Sequence, residues 1–184
     1  MDFCGPRRKV SRLVLAALSV LIYDTASATD SPPTPTSVEL EILRKGASAT
    51  LNRLYSHDSE WDAVRSGIAS GTVEWLQAVK KLYSVSDGGT AEQLAAAAGE
   101  ALEHHPENVL SILNTEIGLN AVCSGPDVDD PRFDSFSRSL AAILRRQQML
   151  RAIHEPNLIQ LRNSCLSHLD QAKLEVAAFF DHEE

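Results

Sequence analysis

Glu100, His104 and His105 are the residues of this chain best suited by type to hold a metal ion. A carboxylate one helical turn before an imidazole puts two ligand atoms on the same helix face. The set is thin, because adjacent histidines on a helix point about 100° apart and no H-x-x-x-H or H-x-x-E-H pairing follows. The plainer reading is a polar helix end before Pro106, with histidine near the negative end of the helix dipole. Asp127, Asp129 and Asp130 raise the question of calcium. An EF-hand frame opened at Asp127 puts Pro131 at a ligand position, Arg132 where glycine is required and Arg138 where the bidentate glutamate belongs, so the segment reads as a solvated loop.

Nucleophilic chemistry has two weak candidates. Gly67-Ile68-Ala69-Ser70-Gly71 has the wrong spacing for a nucleophile elbow. Cys165 has His168 three residues on, the spacing of a Cys–His dyad, but a disulfide would consume that thiol. No catalytic residue and no cofactor is therefore assigned.

The dyad depends on what the cysteines do. Cys123 and Cys165 are an even pair without C-x-x-C spacing, which in an oxidising compartment predicts one structural disulfide. Closing that loop of about 43 residues is worth roughly 4 kcal/mol in the chain-entropy model.

The compartment is read from the start of the chain. Arg7, Arg8, Lys9 and Arg12 form a positive region, Leu13 to Tyr23 an uncharged apolar run, and Ala26-Ser27-Ala28 a small-x-small site. The run is too short to span a bilayer core, so residues 1–28 are predicted to be a cleavable signal peptide cut after Ala28. Arg7-Arg8 suggests twin-arginine export, but Val10 and Ser11 match the usual apolar pair poorly, and ordinary unfolded export fits better. Cys4 precedes the apolar run and cannot be a lipoprotein cysteine. The expected address is periplasmic or secreted, with no stable membrane anchor after cleavage.

Taking the four basic and two acidic residues of 1–28 from the chain's 17 and 25 leaves 13 against 23, a formal charge of −10. That balance opposes nucleic acid or anionic lipid as partner, since both need basic patches.

The elements that must carry these residues all have helical periodicity. After a Pro/Thr-rich lead-in at 29–36, one domain is expected over 37–184. Leu40, Leu43, Ala47, Leu51 and Leu54 predict one helix from Ser37 to about Tyr55. Ser59 is the expected cap of a helix carrying Trp61, Val64 and Ile68, and Gly71 its stop. Thr72 opens a helix with Val73, Leu76, Val79 and Leu82, and Thr90 with Gln93 reads as a capping box. Leu94, Ala97, Ala98 and Leu102 follow, then short helices after Pro106 and from Ile117 to Cys123. Asp130-Pro131 reads as the start of a long helix through Phe133, Phe136, Leu140, Ile143 and Leu144, and Leu158 opens the last. No alternating pattern marks a strand. The fold class is all-α, stacked antiparallel helical hairpins, either an irregular bundle or a short HEAT-like α-solenoid.

W-x-x-V-x-x-G-I-x-x-G from Trp61 to Gly71, Trp75-Leu76, Ala101-Leu102 with Pro106 and Val109-Leu110, and Cys123-Ser124 with Cys165-Leu166 together resemble a pattern in uncharacterised secreted helical proteins of proteobacteria. The resemblance implies an exported helical protein with a cysteine pair, and no activity or functional residues.

Three further groups have a structural and a binding reading. Trp61 and Trp75 are core anchors or ligand-binding rings. Arg145, Arg146, Arg151 and Arg162 are a solvated face or a patch for an acidic ligand. Phe179-Phe180 tucks the terminal helix onto the core or docks into a partner. With catalytic constellations missing, the expected function is protein–protein interaction, one form being an immunity-type inhibitor that neutralises a basic toxic enzyme. The alternative is a periplasmic small-molecule or metal carrier.

Overall fold

The computed structural model describes Met1 and residues 31–113, 117–128 and 130–181. The signal segment, its cut after Ala28, and Asp129 lie outside the described residues. Contacts divide the chain into two units, Met1–Ser31 and Pro32–Glu184, and all the helices below belong to the second. No strand occurs among the described residues, and no helix among them is long and apolar enough to cross a membrane.

The first helix, α1 (Pro35–Lys45), starts two residues before the expected Ser37, because Thr34 caps it and proline suits its first position. The single helix expected over 37–55 is two. Gly46 takes φ +86°, where side chains rarely go, and separates α1 from α2 (Ala47–Tyr55). The break rotates the apolar face, so Val38, Leu51 and Leu54 are buried while Leu40 and Leu43 are exposed.

Helix α3 (Asp58–Ala69) is capped by His57 rather than Ser59, and its first turn carries Asp58 and Glu60 at the positive dipole end. Gly71 ends it as expected, and Thr72 opens α4 (Val73–Tyr83). Helix α5 (Gly88–Glu100) is capped by Asp87, whose N–H donates to Thr90 Oγ1 at 3.1 Å. Thr90 therefore belongs to an earlier cap than predicted, which leaves Gln93 free to accept from Trp61 Nε1 at 2.6 Å.

A 3₁₀ turn (Ala101–Glu103) leads to α6 (Pro106–Leu113) and the short α7 (Leu119–Val122). Helix α8 (Phe136–Arg151) is capped by Ser135, not Asp130. The Asp130 carboxylate is taken by Arg132, and 130–133 forms a turn in which Phe133 N–H donates to Asp130 O at 2.7 Å. Helix α9 (Ile159–Asp181) completes the chain.

The helices pack against one another as an all-α bundle. Helix α8 packs along α9 more extensively than any other pair, while α3 packs on α5, α1 on α4 and α5 on α7. Gln147 meets Asp170, and Ile143 shares Gly125 with Ala172 and Val176, which makes α8 and α9 antiparallel.

The sequence pattern from Trp61 to Gly71 is a packing device. Trp61, Val64 and Ile68 are buried, and the Trp75 indole lies directly over Gly67. A Cβ at Gly67 would fall inside that indole, so glycine is what lets α3 and α4 approach. Gly67→Ala is therefore expected to cost about 1–3 kcal/mol by overpacking, read as a lower urea midpoint at unchanged slope. Gly89→Ala, where a Cβ meets nothing within 4 Å, carries no such penalty.

Candidate functional site

The main concavity is an open groove of about 960 Å³ between α3, α5 and the loop before α8. Helical spacing supplies two walls: Asp62, Arg65, Ser66 and Ala69 share one face of α3, and Gln93, Ala97 and Glu100 share one face of α5. Asp127, Asp130 and Arg132 form the third wall. A second cavity of about 310 Å³ adjoins it, lined by Glu103, Phe133 and Arg145. The two have Ala69, Glu100, His104 and Arg132 in common.

Arg132 is the most heavily bonded of these shared residues. Its two terminal nitrogens reach Glu100 Oε2 and Oε1, each at 2.8 Å, and Nη2 also donates to Asp130 Oδ2 at 2.6 Å. The guanidinium carbon lies 5.1 Å from the Phe133 ring centroid, a cation–π distance. Arg132 holds the Asp130 carboxyl below the usual carboxylate range, chiefly through those hydrogen bonds. Across the groove, Arg65 Nη2 donates to Asp62 Oδ1 at 2.5 Å. The main groove is lined by four carboxylates (Asp62, Glu100, Asp127, Asp130) and two guanidiniums (Arg65, Arg132). It is therefore acidic on balance, with both guanidiniums already engaged.

Behind this wall lies a charge the sequence reading placed at the surface. Arg146 is 1% exposed and is the largest fully buried side chain of the described residues. Its Nη1 donates to Ser124 O at 3.1 Å, and Nε lies 3.6 Å from Glu103 Oε1, beyond hydrogen-bond length. Among the described residues, Nε and Nη2 have no hydrogen-bond partner. Burial pushes the Arg146 pKa down, opposed by Glu103 and Glu100; arginine nonetheless keeps its proton in proteins. Gly99 makes the space, since a Cβ there would crowd Val122 O at 2.7 Å and Arg146 Nη1 at 3.4 Å. Glu103 also accepts from Arg145 Nε at 2.6 Å.

The other predicted residues fall as follows. Cys123 and Cys165 are joined by a disulfide with Cα atoms 5.2 Å apart, both sulfurs deep in the core. Cys165 therefore offers His168 no thiol. Glu100 does not join His104 as a ligand: α5 ends at Glu100, the 3₁₀ turn breaks the expected spacing, and Arg132 occupies the carboxylate. His104 lines the groove, while His105 packs against Gly71. Among the described residues, no three His, Cys, Asp or Glu side chains are grouped to hold a metal ion. Trp61 and Trp75 are core residues. Arg162 Nη1 donates to Ile153 O at 2.8 Å, and Arg151 Nη2 donates to Gln147 Oε1 at 3.5 Å. Phe180 packs on the core with Phe179 edge-on and exposed beside it.

Asp62, Arg65, Glu103 and Arg132 carry no local signal in the sequence, and long-range folding brings them to the two cavities. Arg146 had a visible signal: Ile143, Arg146 and Leu150 recur at helical spacing, so the arginine sits on the apolar stripe. The chain matches no protein-family model, no curated protein and no solved structure.

A buried cation deprived of its counter-ion is costly. Glu103→Gln is expected to destabilise by about 3–5 kcal/mol because buried Arg146 loses its nearest carboxylate. Adding Arg146→Met in the same chain should recover most of that loss, measured by urea denaturation; equal loss in single and double variants would contradict the pairing.

Proposed function

We propose that this is an exported helical protein that acts by binding a partner protein through the groove between α3, α5 and residues 127–132. The observation that carries the reading is the groove itself. It is open, built from three separate segments, and has four carboxylates to two guanidiniums. Small-molecule sites are mostly apolar with a few polar groups, whereas an open, charged concavity suits the polar surface of another protein.

Export rests on residues 1–28, and the disulfide fits an oxidising compartment. We take the address to be the periplasm or beyond it. An inhibitor that neutralises a basic enzyme is the concrete form this reading favours, because complementary charge speeds encounter and suppresses wrong partners.

The test is a pull-down from the organism's own periplasmic and secreted fractions, read by mass spectrometry. The disulfide-bonded chain is expected to retain one stoichiometric protein, and a chain carrying Asp62→Lys and Asp127→Lys to lose it. Equal retention by both chains, or a bound small molecule in place of a protein, would contradict the proposal.

A further inference from the structure

The groove already holds a guanidinium, and it belongs to this chain. Glu100 receives Arg132 through two parallel hydrogen bonds, Asp130 accepts three more from its Nε and Nη2, and the Phe133 ring lies beside the cation. This fork is the geometry by which carboxylates select arginine over lysine. The side chain is nonetheless 57% exposed, against 21% for each of its carboxylate partners. Water and an incoming group therefore reach the fork, and a second guanidinium can compete for the same carboxylates.

The base of Arg132 is also held by bonds that do not involve its guanidinium. The Arg132 N–H donates to Asp130 Oδ1 at 2.8 Å, and the buried Ser139 Oγ donates to Phe133 O at 2.7 Å. Upstream, Pro126 is buried and Cys123 is tied to α9 by the disulfide. The loop therefore keeps bonds of its own when the guanidinium is displaced. Arg132 lines both cavities, so its departure exposes Glu100 and Asp130 to whatever enters.

Resting on the groove as the partner site, we infer that Arg132 is a latch occupying a receptor for an arginine side chain, and that a basic segment of the partner displaces it. The bound partner puts its own guanidinium on Glu100, Asp130 and the Phe133 ring. Arg132 thus competes with the partner, and removing it strengthens binding.

The experiment uses the disulfide-bonded exported chain and a short, end-capped, arginine-rich peptide, with its glutamine counterpart as blank, by titration calorimetry at fixed ionic strength. Arg132→Ala, and the longer Arg132→Gln as a check on packing, should each tighten binding by about threefold to tenfold. Glu100→Gln should weaken it about tenfold, the loss of a forked pair. Glu175→Gln, which removes the same charge from exposed α9, should change it less than about twofold. If Glu100→Gln weakens binding but both Arg132 variants leave it unchanged or weaker, the latch is overturned and the groove reading stands. Glu100→Gln and Glu175→Gln acting alike would mean the peptide senses only bulk charge. That also overturns the inference, and the charge-reversal pull-down then decides separately whether the groove binds a protein.

Discussion

A guanidinium sealed inside the helical stack ties three separate segments of this structure to α8. Taking such a charge out of water costs several kcal/mol, recovered only if neighbouring groups answer it. Around Arg146 the answers come from three segments: the Ser124 carbonyl after α7, the Glu103 carboxylate on the 3₁₀ turn, and space left by Gly99 on α5. Each of those segments is thereby placed relative to α8. Leucines filling the same volume would hold the helices together without specifying which carbonyl or carboxylate faces inward.

The junction passes that placement on to the groove. Glu103 and Glu100 lie three residues apart where α5 tightens into the 3₁₀ turn, and both line the cavities on their outer side while influencing Arg146 on their inner side. Ser124 follows Cys123, so the disulfide to Cys165 and the hydrogen bond to Arg146 hold consecutive residues. From there the loop runs over Gly125, packed against Ile143, Ala172 and Val176, to the carboxylates of the third wall. A rigid interior thus carries an exposed charged rim, and only side chains at that rim are free to exchange partners.

Much of the scaffold was legible in the chain and little of the groove was. Helical periodicity located the apolar faces of α3, α4, α5 and α9, and the even cysteine pair foretold its bond. Boundaries failed where a side chain had a stronger local partner than its cap: Thr90 went to Asp87, and Asp130 to Arg132. The break at Gly46 was hidden because an apolar residue every three or four positions continues across it. Arg132 and Glu100 are 32 residues apart and Arg145 and Glu103 are 42 apart; no local pattern announces such pairs, since only the tertiary fold supplies their proximity. Arg146 was misplaced for a different reason. Its charge class outweighed its position on the apolar stripe, although the stripe was the better guide.

Nitrogen-15 NMR of the arginine Nε–H groups tests the sealed junction most directly, with Arg146 assigned through Arg146→Met. A guanidinium buried to 1% exposure should keep its Nε–H against solvent exchange on the timescale of the α8 backbone amides, far longer than Arg132 or Arg145. Exchange at Arg146 as fast as at Arg132 would mean that the charge is in water, and that the groove walls are held by something else.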